Sequence, residues 1–241
     1  MISCTPNLQS ASLVHQENSF NHHPIYRSAD LSLWTKLKHL EFNRACFPNL
    51  PSLPRTLKYL DISENFILPP LLSTDESVTT IDLPLLETFI CNKIDFSLEV
   101  ILTLIGPSVK AGNLKTLHMG DYAPSESSWE QSTPTKDLLM PSLRDLSLSK
   151  CQMREDGIMR FLRLCPNLQN VDVSFTRVTG VAIKELMTRE VGPLKWLGAC
   201  WCMFLSSDAV EWARSLGTIV EYSNDPLKRP VRQRFWRDRL T

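Results

Sequence analysis

The chain of 241 residues carries 26 Lys and Arg against 26 Asp and Glu, with 43% apolar and 22% charged residues, near the averages of soluble globular chains. A net charge of zero leaves no overall positive field to gather phosphates, which argues against a dedicated nucleic-acid binder. No apolar run reaches the roughly 18 residues of a membrane span, and the N-terminus lacks the basic start and apolar block of a signal peptide. The expected setting is therefore intracellular, cytoplasmic or nuclear. Seven cysteines (Cys4, Cys46, Cys91, Cys151, Cys165, Cys200 and Cys202) form no clustered framework, so free and mostly buried thiols in a reducing compartment are expected. Cys200 and Cys202 are the one close pair, a poor zinc site without a second pair or a nearby His. No metal or cofactor is expected.

In chain order, similar segments begin at Leu8 (LQSASLVHQEN), Leu37 (LKHLEFNRACF), Leu57 (LKYLDISENFI), Leu86 (LETFICNKIDF), Leu114 (LKTLHMGDYAP), Leu143 (LRDLSLSKCQM), Leu168 (LQNVDVSFTRV) and Leu194 (LKWLGACWCMF). Between them, Phe96 to Ile105 has helical spacing, as do EDGIMRFLRLC, TGVAIKELMT and SSDAVEWARSL in the C-terminal half. Ser206 is placed to cap the last of these, with Asp208 in the first turn, where the helix dipole favours an acid. By contrast, Asp121 to Asp137 is rich in Ser, Thr and Pro, which predicts an exposed loop on the convex side. Thr133-Pro134 within it is either a phosphorylation site or, as is commoner, plain solvated loop.

The starts lie 29, 20, 29, 28, 29, 25 and 26 residues apart, and the segments from Leu57 and Leu143 nearly complete the template L-x-x-L-x-L-x-x-N/C-x-L of leucine-rich repeats. The fold predicted is an α/β leucine-rich-repeat solenoid, a curved horseshoe of about eight repeats with a parallel sheet on the concave face and helices and loops on the convex face. No repeat buries its apolar side alone, so stability comes from stacking neighbours. Residues 1–222 are assigned to this domain, which lacks an N-terminal cap, and residues 223–241 to a basic C-terminal tail or cap. At the ninth template position Asn65, Cys151, Thr176 and Cys202 can meet backbone groups of the adjacent turn. Ala45, Ile94 and Tyr122 cannot, which predicts irregular turns there.

From Leu143 onward the repeat is more particular. Cys151, Asp156-Gly157 and Cys165-Pro166-Asn167-Leu168 stand where the cysteine-containing subclass has its strand-end Cys, its helix start and its Cys-Pro-x-Leu element. The element recurs more weakly at Cys4-Thr5-Pro6-Asn7-Leu8. Residues 143–205 thus resemble the repeat domains of F-box/leucine-rich-repeat proteins, the substrate receptors of cullin-type ubiquitin ligases. The resemblance implies a protein substrate bound on the concave face and a link to cullin-type ligase subunits. Residues 1–36 contain nothing like an F-box, so that link would run through a missing or separate F-box. The expectation is a C-terminal part of a longer ancestral receptor or a gene model missing upstream exons; the alternative is a free-standing scaffold with no ligase role, or a non-functional relic.

Catalytic signatures are missing: there is no G-x-S-x-G, P-loop, G-x-G-x-x-G, H-E-x-x-H or paired C-x-x-C, and His22-His23 falls in a polar stretch that suits a solvated loop. The chain is expected not to be an enzyme. A partner would meet the side chains that alternate away from the core. One such set is Ser12, Glu41, Asp61, Ile90, His118, Ser147, Asp172 and Gly198; another is His15, Arg44, Glu64, Lys93, Asp121, Lys150, Phe175 and Trp201. With Trp196, the aromatics Phe175 and Trp201 are expected to cluster on exposed strand faces, which makes Phe175, Trp196, Trp201, Asp172, His118 and Lys150 the candidate partner-binding residues. The competing reading is that a C-terminal cap covers the aromatics through Phe235 and Trp236. The tail from Leu227 to Leu240 holds Lys228, Arg229, Arg232, Arg234, Arg237 and Arg239 against Asp238, a local net of +5, suited to docking on the solenoid or to an acidic partner.

Overall fold

The computed structural model describes residues 7–14, 31–43, 46–47, 52–67, 82–94, 98–122 and 139–224. Nine strands form one parallel sheet: β1 (Ser10–Val14), β2 (His39–Asn43), β4 (Tyr59–Asp61), β6 (Thr88–Ile90), β7 (Thr116–His118), β8 (Asp145–Ser147), β9 (Asn170–Asp172), β10 (Trp196–Gly198) and β11 (Ile219–Glu221), in that spatial order. A small second pair joins β3 (Cys46–Phe47) to β5 (Phe66–Ile67). The sheet is open rather than closed into a barrel, and neighbours in space are neighbours in sequence, the arrangement of a leucine-rich-repeat solenoid.

Register explains the burial. The second Leu of each segment pairs with its counterpart in the next, Leu40 with Leu60, Phe89 with Leu117, Leu146 with Val171, Leu197 with Val220, and all belong to one contiguous core with the first Leu positions. Strands of three to five residues bury little by themselves, and the row of identical apolar slots holds them together. Beyond each strand the ladder continues through backbone bonds such as Met119 N–H to the Ser147 carbonyl (2.8 Å) and Val173 N–H to the Gly198 carbonyl (2.8 Å).

Four helices are described: α1 (Leu98–Lys110), α2 (Glu155–Arg163), α3 (Gly180–Met187) and α4 (Ser207–Ser215). Ser206 caps α4 by accepting from the Ala209 N–H, with Asp208 in the first turn as predicted, and Thr179 caps α3. Glu155 in α2 accepts from both the N–H and the hydroxyl of Thr179 (2.8 and 2.7 Å), tying two repeats together. α1 runs past the predicted end at Ile105 and through Pro107. The proline lacks one donor, but Ile105 and Val109 are both buried and hold the following turn against the core.

Two further differences stand out. Strand β11 is a ninth repeat strand that the template missed, because Gly217 occupies the first Leu position. In the segment from Leu194, Phe204 stands at the eleventh position, where Met153 and Val178 are buried; here Leu205 takes the core place and Phe204 is 64% exposed. The chain has slipped by one residue. The loop Asp121 to Asp137 from residue 123 on, Ala45, His22-His23, Cys4 and the basic tail from residue 225 lie outside the described residues.

Candidate functional site

Each strand ends in the same turn. The eighth-position residues Glu64, Lys93, Asp121, Lys150, Phe175 and Trp201 all have left-handed backbones, with φ between 52° and 61°. Residues with a Cβ disfavour this region, so six in a row demand a cause. The cause is a bond from each of these N–H groups to the seventh-position carbonyl of the next repeat, among them Lys93 to Gly120 (2.9 Å), Lys150 to Ser174 (2.8 Å) and Phe175 to Cys200 (2.8 Å). The turn is a backbone device, repeated, and it aims the side chain outward at the edge of the sheet.

Side chains at the ninth position brace it. Asn65 donates to the carbonyls of Phe42 and Ile62, Cys151 to that of Met119 (2.8 Å), Thr176 to that of Val173 (2.6 Å) and Cys202 also to that of Val173 (3.1 Å). Burial pushes the Cys151 thiol up to about 12, so it donates as a neutral group. The irregular turns expected at Ile94 and Tyr122 are not found. Lys93 and Asp121 have the same φ as the others, and Ile94 and Tyr122 simply bury their side chains. A second ladder one step inward helps: the Gly120 N–H donates to Asn92 Oδ1 (2.6 Å), and a Cβ on Gly120 would lie 2.8 Å from that oxygen.

The left-handed column brings three of the six candidate residues together. Phe175 and Trp201 stack with ring centroids 5.9 Å apart and planes within 11°, and Lys150 Nζ lies 5.8 Å from the Phe175 centroid, an offset stack with a cation over its face. Phe175 is 38% exposed and Lys150 is exposed. They lie in turns beyond the strand rather than on its face, which corrects their expected position. The one-residue slip then leaves Met203 (83% exposed) and Phe204 in the loop that follows Trp201. Sequence reasoning missed both, since the template assigns Phe204 to the core.

The other three candidates lie on the strand face and are not exposed: Trp196 is 2%, Asp172 3% and His118 7% exposed. Trp196 is separated from the expected exposed cluster because its indole lies over Gly198, whose missing side chain makes the room. A Cβ there would stand 2.6 Å from Trp196 Cη2 and 2.8 Å from Asp172 Oδ1. Asp172 turns its carboxylate to its own chain, accepting from the Ser174 N–H (2.9 Å). Burial lowers the His118 pKa to about 4, so its imidazole is neutral at pH 7.

Charge on the sheet is sorted by row. The third-position column runs Ser10, His39, Tyr59, Thr88, Thr116, Asp145, Asn170, Trp196, Ile219, and the fifth-position column Ser12, Glu41, Asp61, Ile90, His118, Ser147, Asp172, Gly198, Glu221. Five carboxylates stand in these columns and no Lys or Arg. His39 Nε2 lies 2.9 Å from Glu41 Oε1 and its ring stacks on Tyr59 at 3.9 Å. At the opposite end of the strands, the second-position row is mainly basic, with Lys38, Lys58, Lys115, Arg144 and Lys195. Glu87 bridges Lys58 (2.8 Å) and Lys115 (2.7 Å), and these hydrogen bonds hold its carboxyl below the usual range.

Among the described residues no group of His, Cys, Asp and Glu is placed to hold a metal, and no helix is long and apolar enough to cross a membrane. Cys200 and Cys202 are buried thiols whose Sγ atoms face backbone carbonyls. The chain matches no protein-family model and no curated protein sequence. The described residues form a parallel, leucine-rich-repeat-like solenoid whose turn edge carries the Phe175–Trp201 stack.

Proposed function

We propose that this chain is a protein-interaction module that captures its partner at the turn edge formed by Lys150, Phe175 and Trp201, extended by Met203 and Phe204. The observation that carries this reading is the stack of the exposed Phe175 on the half-buried Trp201 under a lysine, held on hydrogen-bonded left-handed turns. Aromatic groups on a preorganised backbone lose little entropy on binding and dominate interface energies. On the resemblance of residues 143–205 to the repeats of F-box/leucine-rich-repeat proteins, the partner is a substrate protein. The module is then the recognition part of a cullin-type ubiquitin ligase adaptor, working in the cytoplasm or nucleus.

Purification of the chain at native level from its own cells, with mass-spectrometric identification of co-purifying proteins, tests both levels. Near-equal recovery of the ligase's small adaptor subunit supports the adaptor role. A specific partner without any ligase subunit makes the chain a free-standing scaffold. A partner retained equally by the wild type and by Phe175→Gly/Trp201→Ala removes the turn edge as the contact site.

A further inference from the structure

The basic row at the entrance to the sheet handles its charge differently in its two halves. Lys58, Glu87 and Lys115 directly precede the adjacent strands β4, β6 and β7, and the Glu87 carboxylate accepts from both lysines, at 2.8 and 2.7 Å. Arg144, Gln169 and Lys195 stand at the same place before β8, β9 and β10. The outer residues are again cations, but the middle one is an amide with the length of glutamate and none of its charge. Arg144 uses one guanidinium N–H on the Asn167 carbonyl (2.8 Å). Among the described residues neither Arg144 nor Lys195 has a carboxylate partner.

Between them the surface opens into a cleft of about 230 Å³, lined also by Gln169, Val191 and Pro193. Lys195, Val191 and Pro193 are exposed, and Arg144 and Gln169 are half-buried. Beside the cleft, Arg189 donates to the carbonyls of Leu186 and Leu168, both at 2.8 Å, and it too has no carboxylate partner among the described residues. Glu190, the one acid in the loop from Arg189 to Lys195, does not line the cleft. Three cations around one hollow favour an anion there, and a charge-assisted bond to a carboxylate is the contact that the Glu87 triad already makes. Val191 and Pro193 add an apolar wall, which suits the residue next to an acid in a peptide better than it suits a hydrated inorganic ion.

We propose that this cleft binds a carboxylate of an acidic peptide segment from a protein partner, with Arg144 and Lys195 holding it as Lys58 and Lys115 hold Glu87, and with an apolar neighbour of the acid against Val191 and Pro193. The cleft precedes β8, β9 and β10, whereas the turn edge of Lys150, Phe175 and Trp201 follows the same three strands. It is a second contact, at the opposite strand ends, and does not depend on the aromatic stack.

The test uses the full chain and a fluorescein-labelled, capped octapeptide of alternating Glu and Leu, followed by fluorescence anisotropy. Gln169→Glu supplies an internal carboxylate where the other triad has Glu87. It should weaken peptide binding by about tenfold, while the melting temperature holds or rises, so a loss of binding is not a loss of fold. Arg144→Gln/Lys195→Gln should weaken binding to a similar degree. Carbodiimide cross-linking, mapped by peptide mass spectrometry, should join the peptide to Lys195. No binding by the wild type, equal affinity in Gln169→Glu, or cross-links confined to Lys228 of the basic tail would each overturn the proposal. Displacement of the peptide by an equal concentration of inorganic phosphate would overturn it in favour of a small-anion site.

Discussion

Two stretches of one turn column use the same backbone for different ends. Glu64, Lys93, Asp121 and Lys150 are charged, and Lys93 pairs with Glu64 at 3.4 Å across the repeats. Phe175 and Trp201, at the same φ and with the same bonds to the next repeat, are aromatic and stack. The solenoid thus sets where the side chain points and leaves its chemistry open. Charged residues in that slot cost nothing to solvate, whereas a stacked aromatic pair on an edge leaves apolar area in water. That difference is why the C-terminal stretch carries the functional proposal.

The largest expected effect tests whether the two stretches share one scaffold. Leu146→Ala, in the fully buried core under the junction between them, should cost about 2–5 kcal/mol in urea unfolding. A single shifted transition is expected; a separate early transition would mean that the charged and aromatic stretches belong to independently folding units.

Protonation probes the middle of the sheet. The His118 pKa is lowered by burial from 6.5 to about 4, so as pH falls from 6.5 to 4 the unfolded chain takes up a proton that the folded chain refuses. Stability from this group is complete above pH 6.5 and falls toward pH 4, by roughly 3 kcal/mol in all. Denaturation midpoints measured across that window should flatten in His118→Gln; an unchanged slope would show that other groups govern it.

Bracing differs along the column as well. Asn65→Ala removes a buried amide that serves two carbonyls and should cost about 1–3 kcal/mol. On the aromatic side, Gly198→Ala drives a Cβ into Trp196 and Asp172. It should destabilise by about 1–3 kcal/mol and shift tryptophan emission to the red as the indole is displaced. Unchanged emission would place the indole elsewhere.

The smallest change in stability gives the sharpest comparison. Lys150→Gly and Phe175→Gly both relieve a left-handed Cβ; the first should raise stability by about 0.5–1 kcal/mol, while in the second the loss of the stack on Trp201 offsets the gain and leaves stability nearly unchanged. Partner capture should survive the first far better than the second. Equal retention by both would remove the aromatic stack from the contact surface, independently of folding.

Periodicity alone located eight of the nine strands of the sheet, the three C-terminal helices and the Ser206 cap, because a repeated apolar slot has only one way to be buried. It missed β11, where Gly217 replaces the first Leu, and misplaced Trp196, His118 and Asp172 as exposed. Alternation tells which face a strand residue takes, yet its exposure depends on what neighbouring strands place beside it. The empty volume over Gly198 that admits the Trp196 indole exists only in the assembled sheet. The turns at Ile94 and Tyr122 teach the same lesson from the other side: their side chains break the template, but backbone bonds to the next repeat preserve the geometry. The order of leucines determined the solenoid, since hydrophobic burial is written in local spacing. Only the tertiary structure decided which residues meet at the edge, because the stacking of Phe175 on Trp201 joins side chains that are 26 residues apart in sequence and one strand apart in space.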